Sequence, residues 1–210
     1  MNRRAAGLIL YAVGAALLLD VGVTYARGVM ASDAARAAWE REQAHRSVLT
    51  IKREVERPYA RTATLALGAP MAHLVIPAIG LDEIVVEGVG EDQLNAGPGH
   101  MPGSALPGDP GNAVISAHRD RHFHALDHVA VGDTIITTTD RGRVTWVVVG
   151  RHIVPSDARA LFDTHDATLT LTTCWPVRYL GPAPDRLLIT ARPALVVSRA
   201  AADSRAMFTR

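Results

Sequence analysis

"TLTLTTCWP", Thr168 to Pro176, is the stretch on which the reading of this chain turns. The β-branched run from Thr168 to Thr173 reads as a strand, and Trp175-Pro176 stops it. Cys174, the only cysteine in the chain, stands at that strand end. A single thiol makes no internal disulfide and builds no cysteine-based metal site. It is therefore a nucleophile, an inert apolar filler or one half of an intermolecular bridge. Strand ends that face a loop are good places for chemistry, and a free thiol in an exported chain is an oxidation hazard unless it is used.

Similar runs lie on either side of this one: "HLVIP", "EIVVEGV", "NAVISAH", "GDTIITTT", "RVTWVVVGRHIV" and "RLLITAR". Gly, Pro or Asp bounds most of them. In "TTTDRGRVTW" the turn at Asp140 to Gly142 predicts a hairpin. No long helical period separates the runs, which argues against a doubly wound parallel sheet. The spacing predicts an all-β barrel or sandwich of about seven to eight strands. The loop Gly97 to Gly111, "GPGHMPGSALPGDPG", has nine Gly or Pro among fifteen residues. It lacks the ending of a phosphate-binding loop and reads as a rigid surface connection.

The whole chain has 210 residues, 48% of them hydrophobic, enough for one ordinary domain and an attachment. A net charge of +1 gives no reason to expect nucleic acid as a partner. The attachment is at the front. Ala5 to Leu19 carries no charge, Asp20 interrupts, and apolar residues resume through Tyr25. As a helix, Ala5 to Tyr25 is about 30 Å long, the thickness of a bilayer core. Arg3 and Arg4 favour a cytoplasmic N-terminus, which puts the remainder on the outer side of the inner membrane. A cleaved signal peptide is the alternative, since the uninterrupted apolar core is short. Residues 1–30 are thus read as a single-pass anchor. Residues 31–69 are read as a helical stalk, capped at Ser32 or Asp33, with Arg36/Glu40 and Glu42/Arg46 at i,i+4 spacing on a solvated spacer. Residues 70–193 form the β domain and 194–210 a tail.

A nucleophilic cysteine needs a basic or cationic neighbour. "SAHRDRHFHALDH" supplies His118, His122, His124 and His128, but at no recognised metal-ligand spacing, so no metal is expected. His118 differs from the others in closing the apolar strand "NAVIS". Arg186, in "PDRLLIT", follows Cys174 after the turn "GPAP". If the two strands are antiparallel neighbours, Arg186 faces Cys174; otherwise it is a surface arginine.

These residues resemble a family. Thr170-Leu171-Thr172-Thr173-Cys174 resembles the cysteine signature of sortases, "SAHRD" the strand end bearing the sortase histidine, and "APDRLLI" the strand bearing the sortase arginine. The order His, Cys, Arg agrees, and the likeness runs from Met71 to Arg192, including "GPGH" and "VGDTI". In detail it looks most like the Gram-negative, marine proteobacterial type. The resemblance implies an eight-stranded β-barrel with short helices, and a transpeptidase without a cofactor. Its substrate would be an exported protein with a C-terminal motif of the Leu-Pro-x-Thr-Gly kind, and its second partner an amine acceptor. By resemblance, Cys174 forms an acyl-thioester, His118 moves the proton, Arg186 stabilises the oxyanion and Thr173 lines the substrate groove. Ala117 and Trp175 depart from the usual residues beside the site. Three alternatives stand beside this reading: an L,D-transpeptidase, whose Ser-x-Gly-Cys motif is missing here, a sortase-like enzyme that mainly hydrolyses, and a tethered binding domain with an inert thiol.

Overall fold

Strand β7 (Thr168–Trp175) is buried along most of its length, with a neighbour on each side. In this computed structural model, which describes residues 3–50, 65–156, 164–179 and 181–194, it is the strand around which the site is assembled. The others are β1 (Pro70–Ile76), β2 (Leu81–Glu87), β3 (Gly99–His100), β4 (Asn112–Ser116), β5 (Thr134–Thr139), β6 (Gly142–Pro155) and β8 (Asp185–Pro193). They close into an eight-stranded barrel in the order β1-β2-β3-β4-β7-β8-β6-β5. A short helix, α2 (Glu91–Ala96), follows β2.

Alternation along β7 sends Leu169 and Leu171 into the barrel core and Thr170, Thr172 and Cys174 to the other face. The β5–β6 hairpin turns where the sequence predicts, leaving Thr139 opposite Gly142. Gly142 has φ 132°, a left-handed-side conformation that a side chain would strain. Strand β6 is long enough to pair with β5 through Val147 and with β8 from Trp146 to Pro155.

Trp146 is fully buried, and its indole N–H donates to Thr137 Oγ1 at 2.8 Å. Because the ring fills the barrel and its one polar atom is satisfied, Trp146→Ala is expected to destabilise the domain by about 3–5 kcal/mol. Urea unfolding of the two proteins measures this.

Three sequence expectations change here. The loop Gly97–Gly111 is not wholly a surface connection. Gly99–His100 within it is strand β3, parallel to β2 and antiparallel to β4, and His100 is buried. Second, Ser32 and Asp33 cap nothing, because helix α1 runs unbroken from Arg3 to Thr50. No proline interrupts that stretch, and each added residue of a formed helix is cheap. Third, the segment read as a solvated spacer lies on the barrel. Ala35 is buried with Ile84 and Val86, and Trp39 packs beside them. Residues 51–64 of the stalk, and 195–210 of the tail, lie outside the described residues.

Arg36 reaches across to Asp82, with Nη1 donating to Oδ1 at 3.1 Å and Nη2 to the backbone oxygen at 2.6 Å. His73 Nε2 is 2.9 Å from the same carboxylate. The His73 hydrogen bond lowers the Asp82 carboxyl below its ordinary value; slight burial opposes this, and Arg36 adds to it. A depressed folded-state value stabilises the contact above the unfolded carboxyl's pKa and loses that contribution as pH falls through the folded one. Lowering the pH from about 6 to about 3 is therefore expected to loosen α1 against the barrel. Faster hydrogen exchange at Ala35 to Trp39 reports this, and Asp82→Asn removes the pH dependence.

Candidate active site

Strand register brings the predicted residues together. Cys174 stands directly opposite Arg186 in the antiparallel β7–β8 pair. Arg186 Nη1 donates to Cys174 Sγ at 3.1 Å. On the other side of β7, parallel β4 ends with Ser116 level with Thr172. The next amide, that of Ala117, still bonds to Thr172 O at 3.1 Å. Two residues beyond Ser116 and Thr172 stand His118 and Cys174. Adjacent strands are about 4.8 Å apart, so His118, two residues past the end of β4, emerges beside the end of β7 that carries Cys174, with Arg186 on the strand beyond.

Thr173 does not line a groove. It is 1% exposed, and its hydroxyl donates to Ala117 O at 2.7 Å. Alternation sets it opposite in sense to Cys174, so it fastens β7 to the residue before His118 instead of facing a ligand. Thr164, Thr168, Thr170 and Thr190 face the open side instead, in a groove of about 700 Å³ that Leu188 and His152 also line. This groove lies on the Cys174–Arg186 face of the sheet, because Leu188 and Thr190 follow Arg186 at every second position. At its Cys174 end, Arg151 sits over the Trp175 ring, 5.7 Å from the centroid.

The turn after β4 is held from several sides. The amides of Arg121 and Phe123 both bond to His118 O, at 3.4 and 3.1 Å, and the Phe123 ring is fully buried. Arg119 crosses to the loop after Cys174, donating to Pro176 O at 2.9 Å and Gly181 O at 2.5 Å, with its guanidinium over the Tyr179 ring. One arginine thus ties the His118 turn to the Cys174 loop. Sequence reasoning passed over it, since only its place beside His118 marks it out. His118 Nε2 has Glu91 Oε1 of α2 at 3.7 Å.

The other histidines of the cluster scatter. His122 Nδ1 is 3.2 Å from Glu83 Oε1, His124 Nδ1 is 2.7 Å from Arg121 O, and His128 Nε2 is 3.3 Å from Arg178. Among the described residues, no group of three or more His, Cys, Asp or Glu is placed to hold a metal ion. Buried His100 has Glu87 Oε2 at 2.6 Å from Nδ1, and both Ser104 Oγ and Ala105 O at 2.9 Å from Nε2. Strand β3 is fastened to the following loop in this way.

The family model described as the sortase domain matches residues 74–194, more than half of the chain and all but the first strand's start of the barrel. This chain belongs to the sortase family. Sortases are cysteine transpeptidases. Sortase D of Bacillus subtilis (strain 168) is 36% identical over 118 residues, a match covering 55% of this chain and 60% of that protein. The sortase D5 transpeptidase of Clostridium perfringens has the same fold, with a TM-score of 0.60 over 80% of this chain and 99% of that one, at 23% identity. Sortase C1 of Streptococcus agalactiae aligns with a TM-score of 0.58 and 26% identity, over 78% of this chain and 89% of its own. These relatives are of the D and C kinds and lend no support to the marine proteobacterial subtype that the motifs resemble.

Proposed function

We propose that this sortase is a transpeptidase of exported proteins, working through an acyl-enzyme on Cys174. The observation that carries the reading is the Arg186–Cys174 contact, with His118 just past the end of β4, the other neighbour of β7. In the first step Cys174 Sγ attacks the carbonyl of a Leu-Pro-x-Thr-Gly-like motif, and the C–N bond of that peptide breaks. The thiol proton passes through His118 to the departing amine. Arg186 donates to the oxygen that becomes negative in the tetrahedral state. In the second step an amine attacks the thioester, gives its proton to His118, and the thiol is restored. Water in place of the amine gives hydrolysis.

α1 is long and apolar enough to cross a membrane, with mean hydropathy 1.9 over its apolar window. In the proposal it is the single-pass anchor in the inner membrane, with residues 1–30 at its core. Arg3 and Arg4 set the orientation, and the barrel, residues 70–193, lies on the extracytoplasmic side. The rest of the segment 31–69 joins anchor to barrel, and 194–210 forms a tail. The partners are an exported protein with a C-terminal sorting signal and an amine-bearing acceptor.

Product analysis of the full chain in detergent, given a panel of such peptides and a free amine, tests the reaction. Amine-ligated product supports transfer. Carboxylate product alone identifies a hydrolase of the same fold, and no cleavage of any peptide removes the proposal.

A further inference from the structure

The turn that carries His118 is gripped by the membrane helix. Arg121, three residues after His118, donates from Nη1 to Asn95 O of α2 at 2.9 Å, and its guanidinium lies 5.6 Å from the Tyr25 ring centroid on α1. Gly28, one helical turn beyond Tyr25, is buried beneath that guanidinium. A Cβ added at Gly28 would stand 2.1 Å from Arg121 Nη1 and 3.0 Å from Asn95 O. A side chain here displaces the Arg121 guanidinium and crowds Asn95 O. α2 also carries Glu91, the carboxylate beside His118. From Tyr25 the contact continues to Ala35, Arg36 and Trp39, about 21 Å along the helix. It begins where the apolar run Ala5 to Tyr25 ends, so the docked turn lies at the membrane surface.

We infer that docking of α1 through Gly28 and Arg121 positions the catalytic histidine, and that Arg121 is a positioning residue for the transfer reaction. This rests on the proposed role of His118. A guanidinium bridging two helices fixes the turn, and the turn fixes the imidazole relative to Cys174. Displacement of a catalytic group by about 1 Å can cost about 100-fold in rate. Neither Arg121 nor any residue of α1 lines the groove beside β7 and β8.

The test uses the full chain in phospholipid nanodiscs, comparing wild type with Gly28→Leu, Arg121→Ala, the double variant and Ala34→Leu. Ala34 is on the exposed side of α1 and is the control. Gly28→Leu favours the helix by propensity, so α1 itself is not weakened. The expected result is a fall in kcat of about tenfold or more for Gly28→Leu and Arg121→Ala, with KM within about twofold. In the double variant the two losses do not add. Hydrogen exchange, read without substrate, accelerates at the Phe123 amide in both single variants and not in Ala34→Leu. Unchanged kcat and unchanged Phe123 exchange in Gly28→Leu overturn the inference, as does additivity in the double variant. A chain that acylates no peptide yet shows the linked change in exchange contradicts the functional reading and supports the mechanical coupling.

Discussion

Arg186→Ala is expected to lower kcat/KM for acylation by about 10²- to 10³-fold, the usual loss when a charged donor is taken from an oxyanion site. The guanidinium is half-buried, at the start of β8, and touches the sulfur at 3.1 Å. A donor already on the nucleophile lies beside the oxygen of the carbonyl whose carbon the nucleophile attacks. Arg186→Lys is expected to recover only part of the loss, because an ammonium lacks the planar fork that can hold sulfur and oxygen together. Stability should change little, since the side chain makes no contact inside the barrel core. Single-turnover acylation, with urea unfolding as the control, measures both. An Arg186→Ala enzyme acylating at the wild-type rate would return Arg186 to the role of an edge-strand cation.

The second large effect is at His118. His118→Ala is expected to lower kcat by about 10²- to 10⁴-fold, the range for a positioned general acid–base. KM for the peptide should hold, because the imidazole acts on the departing amine and is lost without removing a contact that holds the peptide. The loss should be largest for poor leaving amines, which depend most on protonation. An activated thioester or ester substrate, whose departing group needs no proton, should narrow the gap between variant and wild type. Equal losses on both substrates would mean that His118 shapes the site instead of moving a proton.

Most of the barrel was legible because its signals are local. Runs such as Thr134–Thr139 and Arg143–Val154 are β-branched and bounded by turn residues, and the Asp140–Gly142 turn joins them in sequence. The facing of Cys174 by Arg186 was legible for the same reason, since only nine residues separate β7 from β8. What the sequence hid was non-local. Strand β3 is two residues of a Gly/Pro loop, made a strand only by β2 and β4 on either side. The parallel pairing of β4 with β7, which brings the turn bearing His118 to the Cys174 end of β7, joins segments 56 residues apart, as in the Thr173–Ala117 bond. Its place at the end of "NAVIS" set that histidine apart, and likeness to the family gave it its role. Thr173 was assigned to the groove by likeness to the family, yet strand alternation alone places it and its neighbour Cys174 on opposite faces. The docking of α1 left little trace, because Ala35 and Trp39 are too few to make an apolar stripe among charged residues. Their partners, Ile84 and Val86, belong to a strand buried on both sides.

The central claim is that Cys174 carries the substrate's acyl group, and intact mass spectrometry tests it most directly. The full chain is incubated with Leu-Pro-x-Thr-Gly-like peptides without added amine, quenched in acid and weighed, beside Cys174→Ala. Wild-type protein is expected to be heavier by the acyl portion of one peptide, the added mass mapped to Cys174 and released by hydroxylamine, with no adduct on Cys174→Ala. Peptide cleavage that persists in Cys174→Ala, or an adduct on another residue, would contradict it.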